Sequence, residues 1–124
     1  MKPNIGQGDS GETYLLGGQR VKKDDCQVDA YGDVDELNSI IGFIKSSNNN
    51  PDVNSILEKI QEDLFVLGTQ LSSTINNLKM PKLTKENISF IEESIRKFEK
   101  DLPELKHFIL PGVGQLGSLF HVAR

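Results

Sequence analysis

Pro51-Asp52-Val53-Asn54-Ser55-Ile56-Leu57-Glu58-Lys59-Ile60-Gln61-Glu62-Asp63-Leu64-Phe65-Val66-Leu67-Gly68-Thr69-Gln70-Leu71 decides the fold class. Val53, Leu57, Ile60, Leu64, Leu67 and Leu71 fall at steps of 4, 3, 4, 3 and 4, one face of an α-helix. Ile56, Phe65 and Val66 widen that stripe, which predicts a central helix. Asn50 before Pro51 suits a cap followed by proline at the first helical position. The polar run Ser46-Ser47-Asn48-Asn49-Asn50 separates this helix from an earlier one, in which Val34, Leu37, Ile41 and Ile44 share a face. Asp33 with Glu36 three residues on resembles a capping box and predicts that the earlier helix starts there. On the other side, Asn76 to Pro81 is predicted to end the long helix. Thr84 opens a third, with Ile88, Ile91, Ile95, Phe98 and Leu102 on one face and a solvated face of Glu92, Glu93, Lys97, Lys100 and Asp101; Pro103 stops it. Leu116, Leu119, Phe120, Val122 and Ala123 make a fourth pattern, still running at Arg124. Thr13-Tyr14-Leu15-Leu16 is short and isolated as a strand. The prediction is an all-α, antiparallel helical bundle of about four helices with a long Gly-rich N-terminal loop.

The chain has 124 residues, the size of one domain. No apolar run approaches the roughly 18–20 residues that cross a bilayer, and Met1-Lys2-Pro3-Asn4 begins no secretory signal. Cys26 is the single cysteine, so an intramolecular disulfide is excluded. With His107 and His121 it cannot make the usual tetrahedral zinc site. These features predict a cytoplasmic protein with no membrane partner. The net charge is −4, opposite to the basic excess of a duplex-DNA binder, so nucleic acid is not a predicted partner. The charge is also unevenly spread. Residues 1–23 hold four basic and two acidic residues, whereas 24–124 hold 10 basic and 16 acidic. Six of the eleven glycines lie at or before Gly32.

Gly6-Gln7-Gly8-Asp9-Ser10-Gly11 matches G-x-G-x-x-G, but a dinucleotide fold needs a strand before it and a helix after it, and neither is predicted. A solvated loop and a phosphate cradle remain. Glycines let backbone N–H groups converge on an anion without Cβ obstruction, and Lys22 and Lys23 could add cationic donors. Asp33, Asp35 and Glu36 suit a helix N-terminus. Gly42 shares a face with Asp35 and Asn38, and its cost in a helix interior points to a close approach by another helix or a ligand. Gly112, Gly114, Gly117 and Ser118 give the fourth helix a small-sided start, for tight packing or a flat ligand. Cys26 has no base near it in sequence, and no nucleophilic triad is supported.

Three blocks occur in register: Gly8-Asp9-Ser10-Gly11-Glu12-Thr13 with Gly17 to Asp25; Ala30-Tyr31-Gly32-Asp33-Val34-Asp35-Glu36-Leu37-Asn38-Ser39; and His107-Phe108-Ile109-Leu110-Pro111-Gly112 with His121-Val122-Ala123-Arg124. Together they resemble the PduO-type ATP:cob(I)alamin adenosyltransferases, from about residue 2 to the last residue. The resemblance implies a single domain over 1–124, with a nucleotide-binding loop at 1–32 and a helical bundle at 33–124. It implies a five-helix bundle assembled as a homotrimer with interfacial active sites. It further implies an alkyl transfer in which cob(I)alamin attacks the 5′ carbon of ATP, giving adenosylcobalamin and triphosphate, with Mg2+ on the phosphates. By matched position, Ile5, Gly6, Gln7, Gly8, Thr13 and Lys23 would bind the nucleotide. Phe108 would help remove the corrinoid's lower axial ligand, and Asp35 and Arg124 would pair across the subunit interface. No protein-held metal site is implied. The family usually has threonine where Ile5 stands, and Gly-Gly-Ser where Gly112-Val113-Gly114 stands. It also continues past Arg124 with an arginine, a glutamate and, on a fifth helix, an asparagine, so the sequence reads as a truncated product or a fragment. The alternative expectation is a helical module that binds ATP or corrinoid without catalysis, and a third is a purely structural helical protein.

Overall fold

The computed structural model describes residues 5–75 and 80–124. A short hairpin, β1 (Glu12–Tyr14) and β2 (Arg20–Lys22), precedes four helices: α1 (Cys26–Ser47), α2 (Pro51–Ser72), α3 (Lys85–Glu99) and α4 (Gly114–Ala123). The all-α class and the number of helices match the expectation.

α1 starts seven residues before Asp33, inside the expected loop. Asp25 is its N-cap and accepts a hydrogen bond from the Gln27 backbone N–H at 2.8 Å. The Gln27 side-chain amide donates to the Leu71 carbonyl at 2.6 Å, pinning the first turn to the end of α2. Gly32 therefore lies within a helix, at roughly 1 kcal/mol against alanine; the cap and the tertiary bond decide the start, and the Asp33–Glu36 pattern does not cap it. The capping box occurs instead at Thr84, where Asn87 accepts from the Thr84 N–H at 2.8 Å. α2 begins as expected, with Asn50 accepting from the N–H groups of Asp52 and Val53 and Pro51 in the first turn. It ends at Ser72, and Asn76–Lys79 lie outside the described residues. α3 ends at Glu99, short of Pro103.

The core is Ile41, Ile44 and Leu57, joined by Leu37, Ile40, Val53, Ile60, Leu64, Leu116, Leu119 and Ala123. α1 packs along α2 and also against α4, so α1, not α2, is the central helix. A three-residue link makes α1 and α2 antiparallel neighbours. Asn48 and Asn54 brace it: Asn48 Nδ2 donates to Asn54 Oδ1, and Asn54 Nδ2 donates to the Asn48 carbonyl. The approach at Gly42 is that of α2, since a Cβ there would stand 3.2 Å from Gln61 Nε2. Tight packing at Gly117 does not occur, because a Cβ there meets nothing within 4 Å.

The isolated strand is half of a hairpin. Glu12 pairs with Lys22, Thr13 with Val21 and Tyr14 with Arg20. Leu15 follows it and is buried. Leu16 donates to the Ser72 carbonyl and accepts from the Thr74 N–H, so the hairpin docks on the end of α2. Gly17, at φ +129°, makes the turn that permits this docking. No described helix is long and apolar enough to cross a membrane.

Candidate functional site

Gly6 and Gly11 adopt positive φ, which side chains rarely tolerate, and fold residues 5–11 back over the hairpin. Two turns shape this segment, Asp9 N–H to the Gly6 carbonyl and Gly11 N–H to the Gly8 carbonyl. The Lys23 N–H then bonds the Gly11 carbonyl at 2.9 Å, closing the loop. Lys23 lies along Gly8, so close that a Cβ on Gly8 would stand 3.0 Å from its Nζ. Among the described residues Lys23 has no ion-pair partner, whereas Arg20 is neutralised by Glu12 at 2.6 Å. Arg20 also sits 5.9 Å from the Tyr14 ring centroid. A hairpin follows the glycines where the dinucleotide reading requires a helix.

Gln7, Gly8, Glu12, Thr13 and Tyr14 line a small cleft of about 240 Å³. Tyr14 also borders a larger one of about 530 Å³, walled by Tyr31, Asp35, Asn38, Phe65 and Thr69 of α1 and α2. Tyr14 lines both clefts. Gln7, Gly8 and Thr13 thus share one cleft with Lys23 beside it, and Asp35 stands in the adjoining one. Ile5 is exposed at the start of the described chain and lines neither cleft.

Phe108 and Arg124 stand apart from these clefts. Phe108 has no cover at all, in an extended segment with exposed Leu105, Ile109 and Leu110. Asp35 and Arg124 are both exposed and make no ion pair among the described residues. Among the described residues, no three His, Cys, Asp or Glu side chains converge as a metal cage would require.

Tyr14, Tyr31 and Phe65 line the site without having been assigned to it from the sequence, whereas Asn38 was placed on one face with Asp35. Phe65 was assigned to the core stripe of α2, yet it is 68% exposed. Its signal lay in its place off the 4-3-4 steps, beside Leu64. Asn38 is buried, with its Nδ2 toward the Gln61 backbone carbonyl and its backbone carbonyl accepting from Gln61 Nε2.

A family model described as cobalamin adenosyltransferase matches residues 4–124. A corrinoid adenosyltransferase of Bacillus subtilis (strain 168) is 42% identical over 128 residues, covering 100% of this chain and 65% of that protein. One from Citrobacter freundii is 39% identical over 119 residues, covering 94% of this chain and 68% of its own length. Among solved structures, a point variant of a PduO-type ATP:corrinoid adenosyltransferase from Lactobacillus reuteri, complexed with cobalamin and ATP, superposes with a TM-score of 0.90. It is 36% identical, over 98% of this chain and 70% of that one. The chain therefore spans about two thirds of the length of the relatives it matches.

Proposed function

The chain belongs to the cobalamin adenosyltransferase family, and from that premise we propose that it transfers the 5′-deoxyadenosyl group of ATP to cob(I)alamin. The cobalt's electron pair forms the Co–C5′ bond, the C5′–O bond breaks, and triphosphate leaves with that bond's electrons. Co(I) is itself a strong nucleophile, so the protein's work is to orient the partners, neutralise triphosphate charge and keep water out.

The observation that carries this reading is that Tyr14 is a wall of both clefts. At the smaller cleft, the backbone of Gln7 and Gly8, with Ile5 and Gly6 leading into it, the Thr13 hydroxyl and the neighbouring Lys23 ammonium would receive the phosphates. Gly8 leaves the approach unobstructed, and among the described residues Lys23 has no ion-pair partner. Mg2+ would travel on the nucleotide, held by phosphate oxygens and its own waters. The fit supports that mode, because the cleft offers one carboxylate, Glu12, already bonded to Arg20. The uncovered Phe108 ring is free to lie against a corrin face and displace its lower axial donor. Loss of that donor lowers the cobalt orbital that accepts the reducing electron. Asp35 and Arg124, unpaired among the described residues, would pair with the opposite member on a neighbouring copy, completing interfacial sites in a homotrimer. A desolvated pair of this kind loses about 3–5 kcal/mol when one partner is removed. A nucleotide-binding segment over 1–32, whose last seven residues are the first turns of α1, and a cytoplasmic location complete the proposal.

The test mixes the chain anaerobically with cob(I)alamin, ATP and magnesium. ATP-dependent conversion of the Co(I) spectrum to that of adenosylcobalamin is the expected result. Binding of ATP or corrinoid with no conversion would assign the chain to non-catalytic binding, and neither binding nor conversion would overturn the proposal.

A further inference from the structure

An α-helix leaves its last four carbonyls without partners inside the helix. At α2 those of Thr69, Gln70, Leu71 and Ser72 are all occupied. Two are closed locally: Ser72 Oγ donates to the Thr69 carbonyl at 3.2 Å, and the Ser73 N–H donates to the Gln70 carbonyl at 3.3 Å. The other two are taken by the N-terminal segment. Gln27 Nε2 donates to the Leu71 carbonyl at 2.6 Å, and the Leu16 N–H donates to the Ser72 carbonyl at 2.8 Å. Leu16 and Gln27 lie on either side of Gly17, β2 and Lys23. The stretch that carries Lys23 is thus tied at both ends to two successive carbonyls of one helix terminus.

The two ties differ in strength. The Leu16 end is reinforced, because the Leu16 carbonyl accepts from the Thr74 N–H at 3.0 Å and Leu15 beside it is buried. The Gln27 end rests on one side-chain amide, since the Gln27 N–H is already bonded to the Asp25 cap. Lys23 lies four residues before Gln27, and its N–H bonds the Gly11 carbonyl at 2.9 Å. What holds Gln27 therefore also holds the glycine loop beside which the Lys23 ammonium lies.

We propose that Gln27 is a positioning residue for the phosphate cleft: by fixing the start of α1 to the end of α2, it sets where the Lys23 ammonium stands beside Gly8. The proposal rests on the reading of that cleft as a triphosphate site. Lysine is a compact charge on a flexible stem, so the anchor of its backbone decides how often the ammonium is in place. Gln27 lines neither cleft and acts through Lys23. It supplies one hydrogen bond between neutral groups, so its removal has a bounded effect on affinity, about twofold to tenfold.

The variant is Gln27→Met, which keeps length and charge and removes the donor. The full chain, Gln27→Met, Lys23→Met and the double variant are titrated calorimetrically with inorganic triphosphate and magnesium. Gln27→Met is expected to bind about twofold to tenfold more weakly than the parent, and the double variant no more weakly than Lys23→Met alone. Amide hydrogen exchange without ligand supplies a second measurement. The Lys23 N–H is expected to exchange faster in Gln27→Met, while the N–H of Ile44, fully buried in the core, keeps the parent's rate. A Gln27→Met chain that binds triphosphate as the parent does would overturn the proposal, as would a loss that adds in full to that of Lys23→Met. Equal acceleration at Lys23 and Ile44 would also overturn it, since Gln27 would then serve global stability alone. Failure of the parent itself to bind triphosphate is a different result: it overturns the reading of the cleft, and this proposal with it, whereas a binding parent and an indifferent variant overturn this proposal alone.

Discussion

Gly8→Ala separates a glycine kept for folding from one kept for a ligand. Gly8 does not adopt positive φ, so alanine fits its backbone. The added Cβ would stand 3.0 Å from Lys23 Nζ, 3.1 Å from its Cε and 3.5 Å from the Glu12 carbonyl. The close atoms are the far end of a flexible side chain, which can swing away. Stability should therefore hold, or rise by up to about 1 kcal/mol, because alanine restricts the unfolded chain. Affinity for the triphosphate should fall, because the methyl group pushes the ammonium aside and blocks approach to the neighbouring amides. A hydrogen bond to a charged group contributes about 1.5–3 kcal/mol, so the loss should be tenfold to a hundredfold. Lys23→Met should lose a similar amount, and the double variant should lose little more than either alone, since both remove the same contact. Calorimetric titration with magnesium ATP measures the affinities, and thermal melting checks the fold. A Gly8→Ala variant that binds ATP as the parent does would refute the reasoning. So would a large drop in melting temperature, which would make Gly8 a folding residue.

Gly17→Ala should behave in the opposite way. At φ +129°, with a Cβ 2.5 Å from Thr74 Oγ1 and 2.9 Å from Ile75 Cγ1, it should cost about 1–3 kcal/mol of stability, seen as a lower melting temperature. Ile44→Ala removes the one fully buried large side chain among the described residues, at the meeting of α1 with α2 and α4, and should cost about 2–5 kcal/mol in urea unfolding with an unchanged slope.

The sequence made the bundle legible where one face of a helix meets its neighbour. Val53, Leu57, Ile60 and Leu64 bury against α1 as their steps require. It misled where tertiary bonds outweigh local pattern. The first turns of α1 rest on Asp25 and on the Gln27–Leu71 bond across 44 residues, which no local window contains. The hairpin was hidden for a related reason, since three residues per strand carry almost no alternation and its docking depends on Leu16 reaching Ser72 and Thr74.

Periodicity also cannot tell a covered stripe from an uncovered one. Ile88, Ile91 and Ile95 have the spacing of core residues, and Phe65 sits beside them in character, yet all four are exposed. The same limit applies to the candidate site. Matched motifs gave Gly8, Thr13, Lys23 and Asp35, because residue type and order survive in the chain. They could not give Tyr14 as the shared wall of two clefts, because that role arises only when the hairpin is laid on α2. Gln27 was equally silent: in sequence it is one polar residue after a charged run, and it becomes informative only once its amide lies on the last turn of α2. The candidate site thus takes its shape from bonds made away from any ligand, and those bonds belong to the fold rather than to the motif.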